Sequence, residues 1–147
     1  MPGQIKFVIT LMTAAVLLCS AASIPAQEPL PKPDLVMEKI FLNPSGNIVV
    51  EIRNAGPGLL PDKAWTVVPE QASAACFVIM IGVEFVDYAT LWAADPNRSL
   101  RNPGGSITYT STIHIQEPTR VRAFVDPTEQ IEEARENNNI KEVLLKP

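Results

Sequence analysis

The chain has 147 residues, 16 of them acidic and 12 basic, giving a net charge of −4; 46% are hydrophobic, 6% aromatic, and two are cysteines. That length predicts one domain around a single core. The acidic balance argues against nucleic acid and anionic membrane surfaces as partners, because both require a basic patch.

Met1 to Ala26 reads as a secretory signal peptide. Lys6 supplies a positive start, Phe7 to Leu18 an apolar run too short to span a bilayer, and Ser20 to Ala26 a stretch rich in small residues. Cleavage after Ala26 or Ala22 fits the small-residue requirement, and Ala26 is favoured. Cys19 follows Leu18, which is not small, so it is expected to leave with the leader rather than carry a lipid. Removal takes one basic residue and no acidic one, leaving 121 residues at a net charge of −5. No membrane insertion is expected after that step. Only Cys76 remains, which excludes an intrachain disulfide. At the head of Cys76-Phe77-Val78-Ile79-Met80-Ile81 it reads as a small buried hydrophobe, with a reactive thiol as the alternative.

The segment 27–33, with Pro29 and Pro31, is predicted to be extended and coreless. Asp34 to Leu42 is the first predicted strand, and its imperfect alternation suits an edge or a bulge. Asn43-Pro44-Ser45-Gly46 is a turn. Asn47 to Asn54 reads as a central strand, with Ile48, Val50 and Ile52 on one face and Glu51 and Arg53 on the other. Ala55 to Asp62, rich in Gly and Pro, is a loop. Trp65 to Val68 suggests a short strand ending at Pro69, and Glu70 to Ala75 a helical turn or loop.

Phe77 to Val86 is apolar except at Gly82 and Glu84 and suits a strand buried on both faces. Ala89 to Ala93 is expected to be a short strand carrying Trp92. Asp95-Pro96-Asn97 and Asn102-Pro103-Gly104-Gly105 are turns bracketing a basic loop with Arg98 and Arg101. Ser106 to Ile115 alternates, placing Ile107, Tyr109, Ile113 and Ile115 against Thr108, Thr110, Thr112 and His114. Val121, Ala123 and Val125 alternate with Arg120, Arg122 and Phe124. Asp126-Pro127 ends that strand, because Pro has no N–H to donate and restricts the residue before it. Ile140 to Leu145 is the last strand. Seven or eight short strands with turns between them predict an all-β fold, an antiparallel sandwich of immunoglobulin or fibronectin III kind.

The segment Val125-Asp126-Pro127-Thr128-Glu129-Gln130-Ile131-Glu132-Glu133-Ala134-Arg135-Glu136-Asn137-Asn138-Asn139 resembles the closing signature of the CARDB domain, the cell adhesion related domain found in bacteria. The resemblance extends to Pro33-Asp34-Leu35-Val36, to Ile48 through Gly56, and to Asn102-Pro103-Gly104-Gly105-Ser106, and it departs between Trp65 and Asp95. It implies the same sandwich over 34–147 and an adhesion role.

Within the loop, Pro127, Ile131, Glu136, Asn138 and Asn139 read as structural, together with Asp126 and Glu133. Ile131 is expected to plug one end of the core, and the polar residues to cap backbone groups the loop leaves unpaired. Asp126, Glu129 and Glu133 are the residues a calcium ion would use, because clustered carboxylates suit a hard cation. The calcium-loop register fails: counted from Asp126, the sixth position is Ile131 instead of Gly and the twelfth is Asn137 instead of Glu. The expectation is a loop that holds its shape with no metal or cofactor.

No catalytic constellation emerges. His114, the only histidine, sits among outward threonines, and no nucleophile motif or Cys/His cluster accompanies it. Trp65 and Trp92 read as core or sheet-edge residues that, if exposed, stack on sugars or anchor a protein. Asn97-Arg98-Ser99 matches a glycosylation sequon. The expected function is a secreted or periplasmic binding module for a protein or polysaccharide. The alternatives are an envelope spacer, stabilised by calcium or not, and a small hydrolase.

Overall fold

The computed structural model describes residues 28–66 and 75–147. The expected leader, the Val67-Val68 end of the short strand and most of the Glu70–Ala75 segment lie outside those residues. Seven antiparallel strands form two sheets facing one another. β1 (Leu35–Leu42), β2 (Asn47–Asn54) and β5 (Ser106–His114) make one sheet in the order β1-β2-β5. β3 (Cys76–Ile81), β4 (Glu84–Thr90), β6 (Thr119–Val125) and β7 (Ile140–Leu145) make the other in the order β4-β3-β6-β7. This is the predicted sandwich.

Strand alternation decides what is buried. Ile48, Val50 and Ile52 of β2 point inward, and Phe77, Ile79, Val121, Ala123 and Val125 answer them from β3 and β6. Each of the larger side chains, Ala123 excepted, contributes about 1.5–3 kcal/mol by leaving water. Between the sheets, Phe77 and Tyr109 meet edge to face with centroids 4.9 Å apart. The broken alternation of β1 has two causes. β1 is an edge strand, and its pairing with β2 slips between Met37 and Lys39, as a bulge does. On β5 the inward row also includes Ser111, whose hydroxyl donates to Asp87 at 2.5 Å.

Three expectations between Trp65 and Ala93 need correction. Trp65 closes a 3-10 turn, Asp62–Trp65, instead of opening a strand. The run from Phe77 to Val86 is a hairpin, because Gly82 takes a positive φ of 61° and pairs Ile81 with Glu84 across a two-residue turn. β3 is accordingly buried on one face only. Ala89 to Ala93 is not a strand: β4 ends at Thr90 and a single turn, α1 (Leu91–Ala94), follows. Thr90 caps it by accepting the Ala93 N–H, and buried Leu91 fastens it to the core. Trp92 is consequently neither core nor sheet edge but 61% exposed.

Candidate functional site

The β6–β7 loop is a clasp around the start of β1. Asp126 leaves β6 in the left-handed region (φ 47°), donates its N–H to the Cys76 carbonyl at 2.7 Å, and accepts the Ile131 N–H on Oδ2 at 2.7 Å. Those bonds turn Ile131 inward, where it is 1% exposed and joins the core. Glu133, 5% exposed, accepts the Leu35 N–H on one oxygen and the Asn139 amide on the other at 2.7 Å. Glu136 accepts the Glu133 N–H at 3.0 Å, and Asn138 donates to Asp34 at 2.8 Å. Lys32 pairs with Glu132, and the Ala134 N–H reaches the Pro33 carbonyl at 2.8 Å. Asp126, Ile131, Glu133, Glu136, Asn138 and Asn139 thus come together, whereas Pro127 and Glu129 lie exposed at the loop tip.

The clasp is electrically unusual. Burial pushes the Asp126 carboxyl up, and it pushes Glu133 up to about 7, with the neighbouring Glu136 and Asp126 charges adding to the shift. The N–H donors of Leu35 and Asn139 oppose it. A metal fits poorly here. Both Glu133 oxygens and one of Asp126 face N–H donors, and among the described residues no three His, Cys, Asp or Glu side chains converge to hold an ion. Asp126 Oδ1, Asn138 Oδ1 and Asn139 Oδ1 are buried without a hydrogen-bond partner among the described residues.

A second surface lies beside the edge of the four-stranded sheet, where Trp92 takes the exposed alternative. β4 is an edge strand whose Phe85 (72%) and Tyr88 (70%) stand exposed, and Tyr88 shares a cleft with Trp92. Strand register places Tyr88, Val78, Phe124 and Ile140 in one row across the outer face of the four-stranded sheet. Trp92 borders two open clefts. One, about 600 Å³, is lined by Tyr88, Thr90, Tyr109 and the α1 turn. The other, about 440 Å³, is lined by Trp65, Trp92, Ala93, Pro96 and Arg98. Neither is lined by a carboxylate.

Arg98 is held tightly beside the smaller cleft. Its backbone is left-handed (φ 54°), its guanidinium lies 5.5 Å from the Trp65 ring centroid, and it donates to Asp62 Oδ1 at 2.9 Å. Arg101 donates to the same oxygen at 2.5 Å. Buried Asp95 shapes this loop by accepting the N–H groups of Ser99 and Leu100 at 2.7 and 3.0 Å. The Trp65 indole N–H is buried and has no acceptor among the described residues. In the sequence, Thr90 three residues before Ala93 and Asp95 four before Ser99 were the available signals for this corner.

No protein-family model and no curated protein matches the chain. Among solved structures it is similar to a crystal structure of the CARDB domain of the PF1109 protein from Pyrococcus furiosus, in complex with di-metal ions. The identity is 20%, the match covers 78% of this chain and 94% of that one, and the TM-score is 0.50. A solution NMR structure of the same domain matches at 15% identity over 80% and 96%, with a TM-score of 0.44. In fold, the chain is a CARDB-like β-sandwich.

Proposed function

We propose that this chain is a secreted or periplasmic, non-catalytic binding module that holds a protein or polysaccharide partner through the corner around Trp92. The observation that carries this reading is the exposure of Trp92 beside Tyr88. A large aromatic side chain on a turn fixed by a cap and a buried leucine is a preorganised contact, and aromatic residues dominate binding energetics at interfaces. Two clefts lined by no carboxylate or histidine that could activate a hydroxyl favour binding over hydrolysis. The adhesion role enters by analogy with CARDB domains.

The rival reading is a spacer module stabilised by a cation, favoured by the unpartnered buried oxygens of Asp126, Asn138 and Asn139. The di-metal complex of the Pyrococcus furiosus domain belongs to that protein; the donors facing Glu133 and Asp126 oppose a metal in this loop. Capture of material from envelope and culture-medium fractions by the immobilised chain tests the two. Capture that Trp92→Ala abolishes supports binding. Specific capture by neither protein supports the spacer, and equal capture by both moves the binding surface away from Trp92.

A further inference from the structure

On the basis of the binding-module reading, we infer that the cleft between Trp92 and Arg98 takes an acidic glycan, a polymer carrying carboxylated sugar rings. The cleft combines a flat apolar surface with donors and no acceptor side chain. Trp92 offers an exposed indole face, Pro96 and Ala93 an apolar wall, and Arg98 a guanidinium whose N–H groups can only donate. A pyranose ring presents an apolar C–H face to such an indole, and its carboxylate presents the oxygens that guanidinium groups pair with in bidentate fashion.

Local charge gives the sign of the ligand. Arg98 and Arg101 share one oxygen of Asp62, so one carboxylate answers two cations. Lys63, on the same turn as Asp62, lies on the other side of it, beside Glu132 of the clasp. Asp95, the other carboxylate of this loop, is buried and committed to backbone N–H groups. Among the exposed groups of this corner, two guanidiniums therefore stand against one carboxylate, on a chain whose net charge is −4. Arg120 and Arg122 share Glu142 in the same way on β6 and β7, but only the Arg98 pair lies beside the exposed Trp92, where an anion can also meet an indole.

The form of the site separates a glycan from an acidic peptide. Trp92 stands between two open clefts that share its side chain, so consecutive rings of a linear polymer lie to either side of it. Neither cleft is an enclosed pocket of the kind that seats a peptide anchor. Arg98 is already clamped by Asp62 and the Trp65 ring, so little ordering remains to be lost on binding.

The test titrates the chain with polygalacturonate, with its fully methyl-esterified neutral form and with poly-glutamate, following tryptophan fluorescence and calorimetry. The expected result is binding of polygalacturonate at least tenfold tighter than of either control, weakening between 50 and 500 mM salt. Trp92→Ala should cost at least tenfold, as should Arg98→Asn, whose asparagine tolerates the left-handed backbone. Arg101→Gln, further from the indole, serves where Arg98→Asn fails to fold, and should cost several-fold. Equal affinity for the neutral polymer overturns the charge assignment, and preference for poly-glutamate overturns the glycan. Absence of polygalacturonate binding also overturns it. In that case, Trp92-dependent capture from envelope fractions would leave the binding-module reading standing, and loss of both would remove the two together.

Discussion

Glu133 accepts the backbone N–H of Leu35, a residue 98 positions earlier, and so fastens the β6–β7 loop to the first residue of β1. Both partners are buried, and among the described residues the carboxylate has no cation beside it, only N–H donors and two further carboxylates. The loop is therefore part of how the sandwich closes.

That arrangement makes stability depend on pH in an uncommon direction. Burial raises the Glu133 carboxyl from an ordinary 4.5 to about 7, so the folded chain holds this proton more tightly than the unfolded one. Its contribution is full below about pH 4.5 and is lost as pH rises through 7. Asp126, also raised by burial, acts in the same direction. Urea denaturation of wild type should show stability falling between pH 5 and 8. Glu133→Gln should fall less steeply and be the more stable protein at pH 8, because its amide can donate to the free Asn139 Oδ1 once that side chain flips. Parallel pH profiles for the two proteins would rule this out.

Ile131 is the apolar pin of the clasp. Truncation to alanine leaves a void and should cost about 2–5 kcal/mol. A thermal melt of Ile131→Ala coincident with wild type would mean that the loop does not close the core.

The loop should keep its shape without metal. An ion binding only the folded state at a hundredfold excess over its Kd adds about 2.7 kcal/mol, a shift of several degrees in Tm. Equal melting temperatures in EDTA and in millimolar calcium are expected. A rise with calcium that Asp126→Asn abolishes would instead assign Asp126 and its unpartnered neighbours to a cation.

Trp92 and Trp65 should behave as opposites. Trp65 is core, whereas Trp92 stands in solvent. Trp92→Ala should change stability by less than about 0.5 kcal/mol and remove most of the fluorescence that iodide quenches. If the remaining Trp65 signal stays strongly quenchable, the corner described above is not the one formed in solution.

Much of the sandwich was legible because β2, β5 and β6 alternate polar and apolar residues and bury mainly one face, while β7 was marked by the Asn run before it. The β3–β4 hairpin was not. Its turn, Gly82-Val83, carries a valine where turns ordinarily show Asn or Asp, so ten residues read as one strand. Four residues of α1 are too few for a helical period, and only the Thr90 cap marked it. Loop residues such as Asp126, Glu133 and Asn138 stood out by composition. The partners of Glu133 and Asn138, Leu35 and Asp34, lie about a hundred positions away, and nothing local in the chain pairs them. Exposure of Trp92 follows from the cap and from Leu91 turning inward, a tertiary outcome that hydrophobicity alone points away from.

Binding through the Trp92 corner is the central claim, and one comparison tests it most directly. Wild type and a Trp92→Ala, Tyr88→Ala double variant, matched in melting temperature, are immobilised at equal density against envelope and culture-medium fractions. At least tenfold less captured protein and polysaccharide on the variant, equivalent to about 1.4 kcal/mol, is the predicted result. Equal capture by the two surfaces would contradict it.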